Sequence, residues 1–165
     1  MRGGGRIDPA DHLRRPWRVH ALAAAEGLAL HDVWEVATPL APGVTLTAWL
    51  EAFRGERRSL PTRTLFVVRA ALGRVLGLDR GGTGFVPAYQ EPDEQLLRIA
   101  NRTVTAALHI SVADRRPRLA VYVRPKGRFG RIYMRVIEPF RYFVVYPALM
   151  AAGSRAATHL NRTVS

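Results

Sequence analysis

His109 is the residue whose sequence context best suits acid–base chemistry. It lies within Thr103–Val112, where apolar residues alternate with small or polar ones, so a strand would place it on the same face as Thr105 and Ser111. An imidazole titrates near neutral pH and can act as a general base or orient a ligand. A histidine on a solvated sheet face, or one satisfied by its neighbours, is the simpler interpretation, and the sequence favours it.

The remaining residue types exclude several kinds of catalytic site. The chain has no cysteine, which rules out disulfides, thiolate nucleophiles and cysteine-bound metals. Asp93 and Glu94 are adjacent, so a strand would point them to opposite faces. The histidines at positions 12, 20, 31, 109 and 159 show neither a metal-ligand spacing nor a Ser-His-Asp signature. The sequence therefore predicts no metal and no cofactor, and it leans against an enzyme without deciding the question.

Positive charge is concentrated toward the end of the chain, which has a net charge of +12. Residues 1–97 hold 12 basic and 11 acidic side chains, whereas residues 98–165 hold 13 basic side chains against Asp114 and Glu138. All basic residues except Lys126 are arginine, as a GC-rich genome would produce, but composition alone would not confine the excess to one part. A basic surface attracts polyanions and anionic lipid head groups.

Six basic residues form the densest part of this excess: Arg124, Lys126, Arg128, Arg131, Arg135 and Arg141. Aromatic residues are interleaved with them, and the arginines at 128, 131 and 135 would share one face of a helix. An amphipathic basic helix can lie on an anionic membrane, and arginines with aromatics also suit single-stranded nucleic acid. The third interpretation, which the sequence favours, is a solvated basic face with the aromatics buried.

The first half of the chain predicts one strand and several helices. Residues 1–16 are rich in glycine, proline and charge and are expected to form a loose lead-in. Imperfect alternation predicts a strand over Trp17–Ala25. Spacings of three and four residues predict short helices over Leu30–Val36 and from Thr45 to Phe53, and a longer helix from Ser59 to Gly77.

From Phe85 the apolar period changes to two, and four consecutive strands are predicted: Phe85–Gln90, Glu94–Arg102, Thr103–Val112 and Arg118–Arg124. Asp114–Pro117 should form the loop between the last two. A long C-terminal helix follows, and Pro139 and Pro147 should kink or interrupt it.

This order predicts one α+β domain at residues 16–160, with a flexible lead-in at 1–15 and a tail at 161–165. No signal peptide is evident, and no apolar run approaches the roughly 20 residues of a membrane span. We therefore expect a cytoplasmic protein, peripheral to the membrane if its basic part docks there.

Several segments together resemble an uncharacterised bacterial domain-of-unknown-function family in the START-like, or polyketide cyclase (SRPBCC), superfamily. The resemblance covers about residues 16–155 and is carried by the following segments: Pro16–His20, Asp32–Trp34, Thr64–Phe66 with Gly73–Asp79, Ile99–Val104, Gly130–Met134, Pro139–Arg141 and Tyr146–Met150. It implies the helix-grip fold, in which a curved antiparallel sheet encloses a long C-terminal helix, here with two or three helices inserted after the first strand. It implies a cavity between sheet and helix but no established activity.

Three functions follow as hypotheses. The first is binding of a small apolar or amphipathic molecule in that cavity, including a molecule with an anionic head. The residues predicted to line the cavity are Trp34, Tyr89, Leu108, His109, Ile110, Val121, Tyr122 and Tyr133. The second is docking of the basic part on an anionic membrane or polyanion. The third is a cyclase- or dehydratase-type enzyme with His109 and a tyrosine as acid–base groups. The sequence does not indicate an oligomeric state.

Overall fold

A computed structural model describes residues 3–56, 86–100 and 104–164. The helix predicted from Ser59 lies outside these residues, as do the predicted strand ends at Phe85 and Asn101–Thr103. Among the described residues, no helix has both the length and the apolar character needed to cross a bilayer.

The predicted helix over Leu30–Val36 is wrong, because strand β2 occupies Ala29–Val36. Asp32, Val33 and Trp34 are all buried, although consecutive strand residues point to opposite faces. Strand β2 is therefore covered on both faces. A strand of this kind loses the polar–apolar alternation that normally identifies it, and its apolar spacing can imitate that of a helix.

The predicted strand at Trp17–Ala25 is also wrong, because Arg18–Ala25 forms helix α2. Alanine is the strongest helix former, and this segment contains four alanines. Val19 and Ala23, four residues apart, bury one helical face.

The N-terminal stretch expected to be loose contains strand β1, Gly4–Arg6, and helix α1, Pro9–Leu13. Asp8 caps the helix by accepting a hydrogen bond from the Ala10 amide. A Cβ atom at Gly3 would lie 2.4 Å from the Ala151 Cα. The glycine run therefore lets the first strand pass directly against the C-terminal helix.

The four predicted strands are confirmed as β3 (Val86–Gln90), β4 (Glu94–Ala100), β5 (Val104–Ala113) and β6 (Arg116–Pro125). The loop between β5 and β6 is shorter than the predicted Asp114–Pro117, because Arg116 and Pro117 already pair with β5. Its two residues, Asp114 and Arg115, both have positive φ, as in a type I′ hairpin turn.

The six strands of the described residues form one antiparallel sheet in the order β1-β2-β6-β5-β4-β3. Strand β2 pairs with β6, the last strand, and the chain between β2 and β3 contains helix α3, Leu46–Glu56. Helix α3 confirms the helix predicted there. This connection and the C-terminal helix are compatible with a helix-grip fold.

The C-terminal segment is helical from Gly127 to Val164 but is interrupted between its two prolines. Helix α4, Gly127–Phe140, is followed by a π-helical turn, Arg141–Val145, and then by helix α5, Tyr146–Val164. The Tyr146 amide donates to the Arg141 carbonyl, five residues earlier. This turn rotates the side chains of α5 relative to those of α4.

The sheet is covered on both faces. On one face, which we call the grip face, α3 and α5 pack on Trp34, Val36 and Ile110. On the other face, which we call the outer face, α2 packs on Val33 and Ala120. The apolar residues of β5 and β6 point to the grip face, whereas the smaller and polar ones point to the outer face.

Candidate functional site

Asp32 is the centre of a polar cluster on the grip face, where β2 meets the π-helical turn. Its side chain is fully buried. Arg141 donates from Nη2 to Oδ2, and Tyr146 donates from its hydroxyl to the same oxygen at 3.2 Å. Tyr142 donates to Oδ1. The carboxylate is thus held by three side chains from one irregular turn of helix.

Two further basic groups adjoin this carboxylate. His31 Nδ1 lies 2.8 Å from Asp32 Oδ2. Consecutive strand residues normally point to opposite faces, but the β-bulge at His31 lets its side chain and that of Asp32 meet. Arg6 Nη2 lies 3.6 Å from Oδ1, and its side chain is half exposed. Two guanidinium groups therefore face a single carboxylate.

The protonation state of this cluster follows from its contacts. Burial alone would raise the pKa of Asp32, but hydrogen bonds from His31 and Tyr142 and the charge of Arg141 outweigh it and lower the pKa to about 2. Burial, the hydrogen bond to Asp32 and its charge raise the pKa of Tyr142 to about 12. At neutral pH the cluster thus contains an ionised carboxylate and neutral phenols that act as donors.

The grip face is tightly packed at one end and partly open in its middle. A Cβ atom at Gly153 would lie 2.9 Å from Val36 Cγ2 and 3.1 Å from Trp49 Cζ2, so α5 and β2 are in close contact there. Leu97, Leu108 and Val121, on neighbouring strands, are only partly buried. Asp32 pairs with Val121 across the β2–β6 ladder. This partly exposed apolar strip therefore borders the Asp32 cluster.

A second polar cluster lies on the outer face and contains His109. Its Nε2 lies 2.8 Å from Glu94 Oε2, and its Nδ1 lies 3.3 Å from His12 Nε2. Glu94 also accepts hydrogen bonds from the Tyr89 hydroxyl and the Arg18 amide. These contacts agree with the prediction that His109 shares the polar face, but helix α1 and its flank cover that face.

The hydrogen bonds fix the tautomers in this second cluster. Because Glu94 accepts from His109 Nε2, His109 Nδ1 must accept, and His12 Nε2 must donate to it. His12 Nδ1 is then an acceptor, and it finds no partner within the part of the chain that the structure describes. Burial, together with the neighbouring basic groups His109, His20, Arg118 and Arg15, lowers the pKa of His12 to about 3. Burial and the neighbouring His20 lower the pKa of His109 to about 3. Both imidazoles are neutral at pH 7.

The eight residues predicted to bind a ligand do not lie on one face. The grip face carries five of them: Trp34, Leu108, Ile110, Val121 and Tyr133. Tyr89, His109 and Tyr122 belong to the outer face. The sheet separates the two groups, so one ligand cannot contact all eight.

The six residues predicted to form a basic surface do not all lie on the surface. Arg141 is directed inward to Asp32. The other five, at 124, 126, 128, 131 and 135, are exposed on β6, α4 and the junction between them.

Two open surface depressions are found among the described residues. One, of about 400 Å³, is lined by Asp11, Arg14, Arg15, Asp114 and Arg118. The other, of about 270 Å³, lies between α3 and α5. Neither is an enclosed cavity between the sheet and the C-terminal helix. The described residues include no group of three histidine, aspartate or glutamate side chains that could hold a metal ion.

Most of the Asp32 cluster is not predicted from the sequence. Asp32 falls in a predicted helix, and Tyr142 and Tyr146 follow a helical break whose form the sequence does not indicate. The one available signal is a charged residue directly before the apolar pair Val33–Trp34. Such a residue needs a partner when its neighbours are buried.

The fold and the cluster define an α+β protein, compatible with a helix-grip architecture, that has a buried charged group beneath its C-terminal helix. Residues 24–148 match the family described as a protein of unknown function (DUF2867), and the chain belongs to that family. No curated protein and no solved structure matches the chain. The matched region includes Asp32, Arg141 and both tyrosines, whereas His12 of the outer-face cluster precedes it.

Proposed function

We propose that the protein binds a small amphipathic molecule on the grip face. The apolar body of the ligand lies along Leu97, Leu108 and Val121, and its anionic head lies at the Asp32 cluster. The observation that carries this proposal is the pairing of Asp32 with Val121 in the β2–β6 ladder, which brings a charged cluster to the edge of a partly exposed apolar strip.

The apolar strip supports the part of the proposal that concerns the ligand body. In the sheet, the polar side chains of β5 are buried on the outer face, while Leu108 and Val121 remain partly exposed on the grip face. This is the reverse of the usual relation between polarity and exposure. An apolar ligand lying on the strip would remove that surface from water, and each buried methylene contributes about 0.8 kcal/mol.

The charges of the cluster support an anionic head. Arg6 and Arg141 together exceed the charge of Asp32 by one. Arg6 lies 3.6 Å from the carboxylate, beyond hydrogen-bond distance, and its guanidinium also lies over the Tyr142 ring at 5.3 Å. A carboxylate, sulfonate or phosphate would find the half-exposed guanidinium group of Arg6 at the end of the strip, whereas the phenol hydroxyls already donate to Asp32.

Binding of 1-anilinonaphthalene-8-sulfonate, an apolar ring system with a sulfonate, tests the proposal. The V121F variant fills the strip and should abolish the fluorescence increase seen with the native protein. L13F, which adds the same ring at an exposed position on α1, should leave it unchanged. The double variant I132S/V136S, which alters exposed residues of α4, should also leave it unchanged. Equal dye binding by V121F and the native protein would contradict the site.

The anionic head is tested separately with dodecanoate and dodecanol, which share one alkyl chain. Because a hydrogen bond to a charged group contributes about 1.5–3 kcal/mol, dodecanoate should bind at least about tenfold more tightly. Equal affinities would remove the head-group assignment while leaving the apolar strip in place.

A further inference from the structure

Helix α4 carries an apolar face that points away from the protein. Phe129, Ile132 and Val136 recur at three- and four-residue spacing and are 67%, 60% and 64% exposed. The residues that attach α4 to the sheet are different ones, chiefly Gly130 and Met134. Helix α4 therefore has one apolar face on the core and a second one in solvent.

The exposed apolar face continues beyond α4. Phe143, in the π-helical turn, is 82% exposed, and Val144 beside it is 38% exposed. These five residues, which we call the outer stripe, account for most of the exposed large apolar side chains in the described part of the chain. Concentrated apolar surface of this kind marks an interaction site more often than scattered apolar residues do.

A basic face borders the outer stripe along α4. Arg128, Arg131 and Arg135 recur at the same helical spacing, one residue before each of the stripe's first three members. All three are exposed, and none forms an ion pair with an acidic residue in the described ranges. Glu138 is the only acidic residue from Gly127 to the C-terminus.

We propose that α4 docks on an anionic lipid bilayer surface, with the outer stripe at the boundary between head groups and acyl chains and the arginines at the lipid phosphates. A helix with adjacent apolar and basic faces has the form of an interfacial helix. Phe129 and Phe143 supply aromatic rings, and Ile132 and Val136 supply aliphatic bulk. The helix is already folded and held by the core, so binding needs no ordering of the chain.

The stripe favours a bilayer over a nucleic acid. Bases stack on flat rings, whereas branched aliphatic side chains such as Ile132 and Val136 offer no stacking surface. It also favours a bilayer over a second copy of the chain. Two copies facing each other through this helix would bring their arginine rows together, and like charges at an interface oppose association.

Flotation with vesicles tests the proposal. The native protein should bind vesicles of phosphatidylcholine mixed with phosphatidylglycerol, should not bind vesicles of phosphatidylcholine alone, and should be released by high salt. The triple variant R128Q/R131Q/R135Q should bind about a hundredfold more weakly, because each arginine near an anionic surface contributes about 1 kcal/mol. The variant R14Q/R54Q/R162Q loses the same charge from other exposed positions and should bind like the native protein.

The apolar contribution is tested by I132S/V136S, which should abolish binding to the mixed vesicles. The matched variant L13S/V164S, at two other exposed apolar positions, should retain it.

The proposal is overturned if the native protein fails to bind mixed vesicles at low salt, or if both triple arginine variants weaken binding equally. Sedimentation that shows a dimer dissociated by I132S/V136S would instead assign the stripe to self-association. Salt-sensitive binding of single-stranded RNA without vesicle binding would overturn it in favour of a nucleic acid. Neither result affects the ligand strip, because these side chains point away from the sheet.

Discussion

His12 should make the folded state sensitive to mild acid. Its side chain is fully buried, its Nδ1 has no partner in the described chain, and its ionisable neighbours His109, His20, Arg118 and Arg15 all oppose a positive charge. Folding therefore lowers the pKa of His12 from 6.5 to about 3. A lowered pKa means that the unfolded chain binds the proton more readily. The contribution of neutral His12 to the free energy of unfolding is therefore present above pH 6.5 and is lost as the pH decreases toward 3.

The size of this effect follows from the two pKa values. Between about pH 7 and about pH 5, a group with a pKa of 6.5 in the unfolded chain and about 3 in the folded one reduces the free energy of unfolding by about 2 kcal/mol. That is a substantial part of the roughly 5–15 kcal/mol typical of a whole domain.

The H12Q variant isolates the effect. The amide nitrogen of the introduced glutamine can replace His12 Nε2 as the donor to His109, but the amide does not titrate. Urea unfolding at about pH 7 and about pH 5 should show that the native protein loses about 2 kcal/mol more than H12Q. An NMR titration of His12 should give a pKa close to the expected value of about 3. An equal loss in the two proteins, or a native protein that becomes more stable in acid, would refute the burial of a neutral imidazole at this position.

Three other predictions follow from the described contacts. D32N should be less stable than the native protein at neutral pH because Arg141 loses its buried partner. It should also lack the acid sensitivity of the native carboxylate: because folding lowers the pKa of Asp32 from 3.8 to about 2, the native protein should lose about 2 kcal/mol of its free energy of unfolding between about pH 4 and about pH 2. Urea unfolding at neutral pH and across that acid range measures both effects. Parallel pH dependences of the two proteins would contradict the ion pair. G153A should lower the free energy of unfolding by about 1–2 kcal/mol, since overpacking against Trp49 outweighs the gain in helix propensity. G55A should raise it by up to about 1 kcal/mol, because a Cβ there meets no atom of the described residues within 4 Å and alanine favours helix. Thermal unfolding of the two variants should give shifts of opposite sign, and shifts of the same sign would contradict the packing at Gly153.

The sequence predicted the parts of the fold in which one face is clearly apolar. In β5 and β6, leucine, isoleucine and valine point to the grip face and smaller or polar residues to the other, so the period of two is visible. Strand β2 could not be recognised in the same way, because both of its faces are buried and Asp32 is neutralised by residues more than 100 positions away. Helix α2 was missed because its alanines carry too little hydrophobic contrast to display a period.

The candidate site was predictable only in part. The sequence does not decide which face of the sheet lines a ligand site; of the residues predicted for such a site, Leu108 and Val121 lie on the grip face with their side chains partly exposed. The polar end of the strip depends on the π-helical turn at Arg141–Val145, which directs Arg141, Tyr142 and Tyr146 to one carboxylate. An extra residue in a helical turn has no signature in apolar spacing, because the pattern is continuous on both sides of it.

An amphipathic molecule bound on the grip face should have its apolar body on Leu108 and Val121. Intermolecular nuclear Overhauser effects between dodecanoate and the methyl groups of the methyl-labelled protein can detect this contact. We expect effects from the alkyl chain to Leu97, Leu108 and Val121. Effects confined to the outward-facing methyl groups of Ile132 and Val136, or none at saturating dodecanoate, would contradict it.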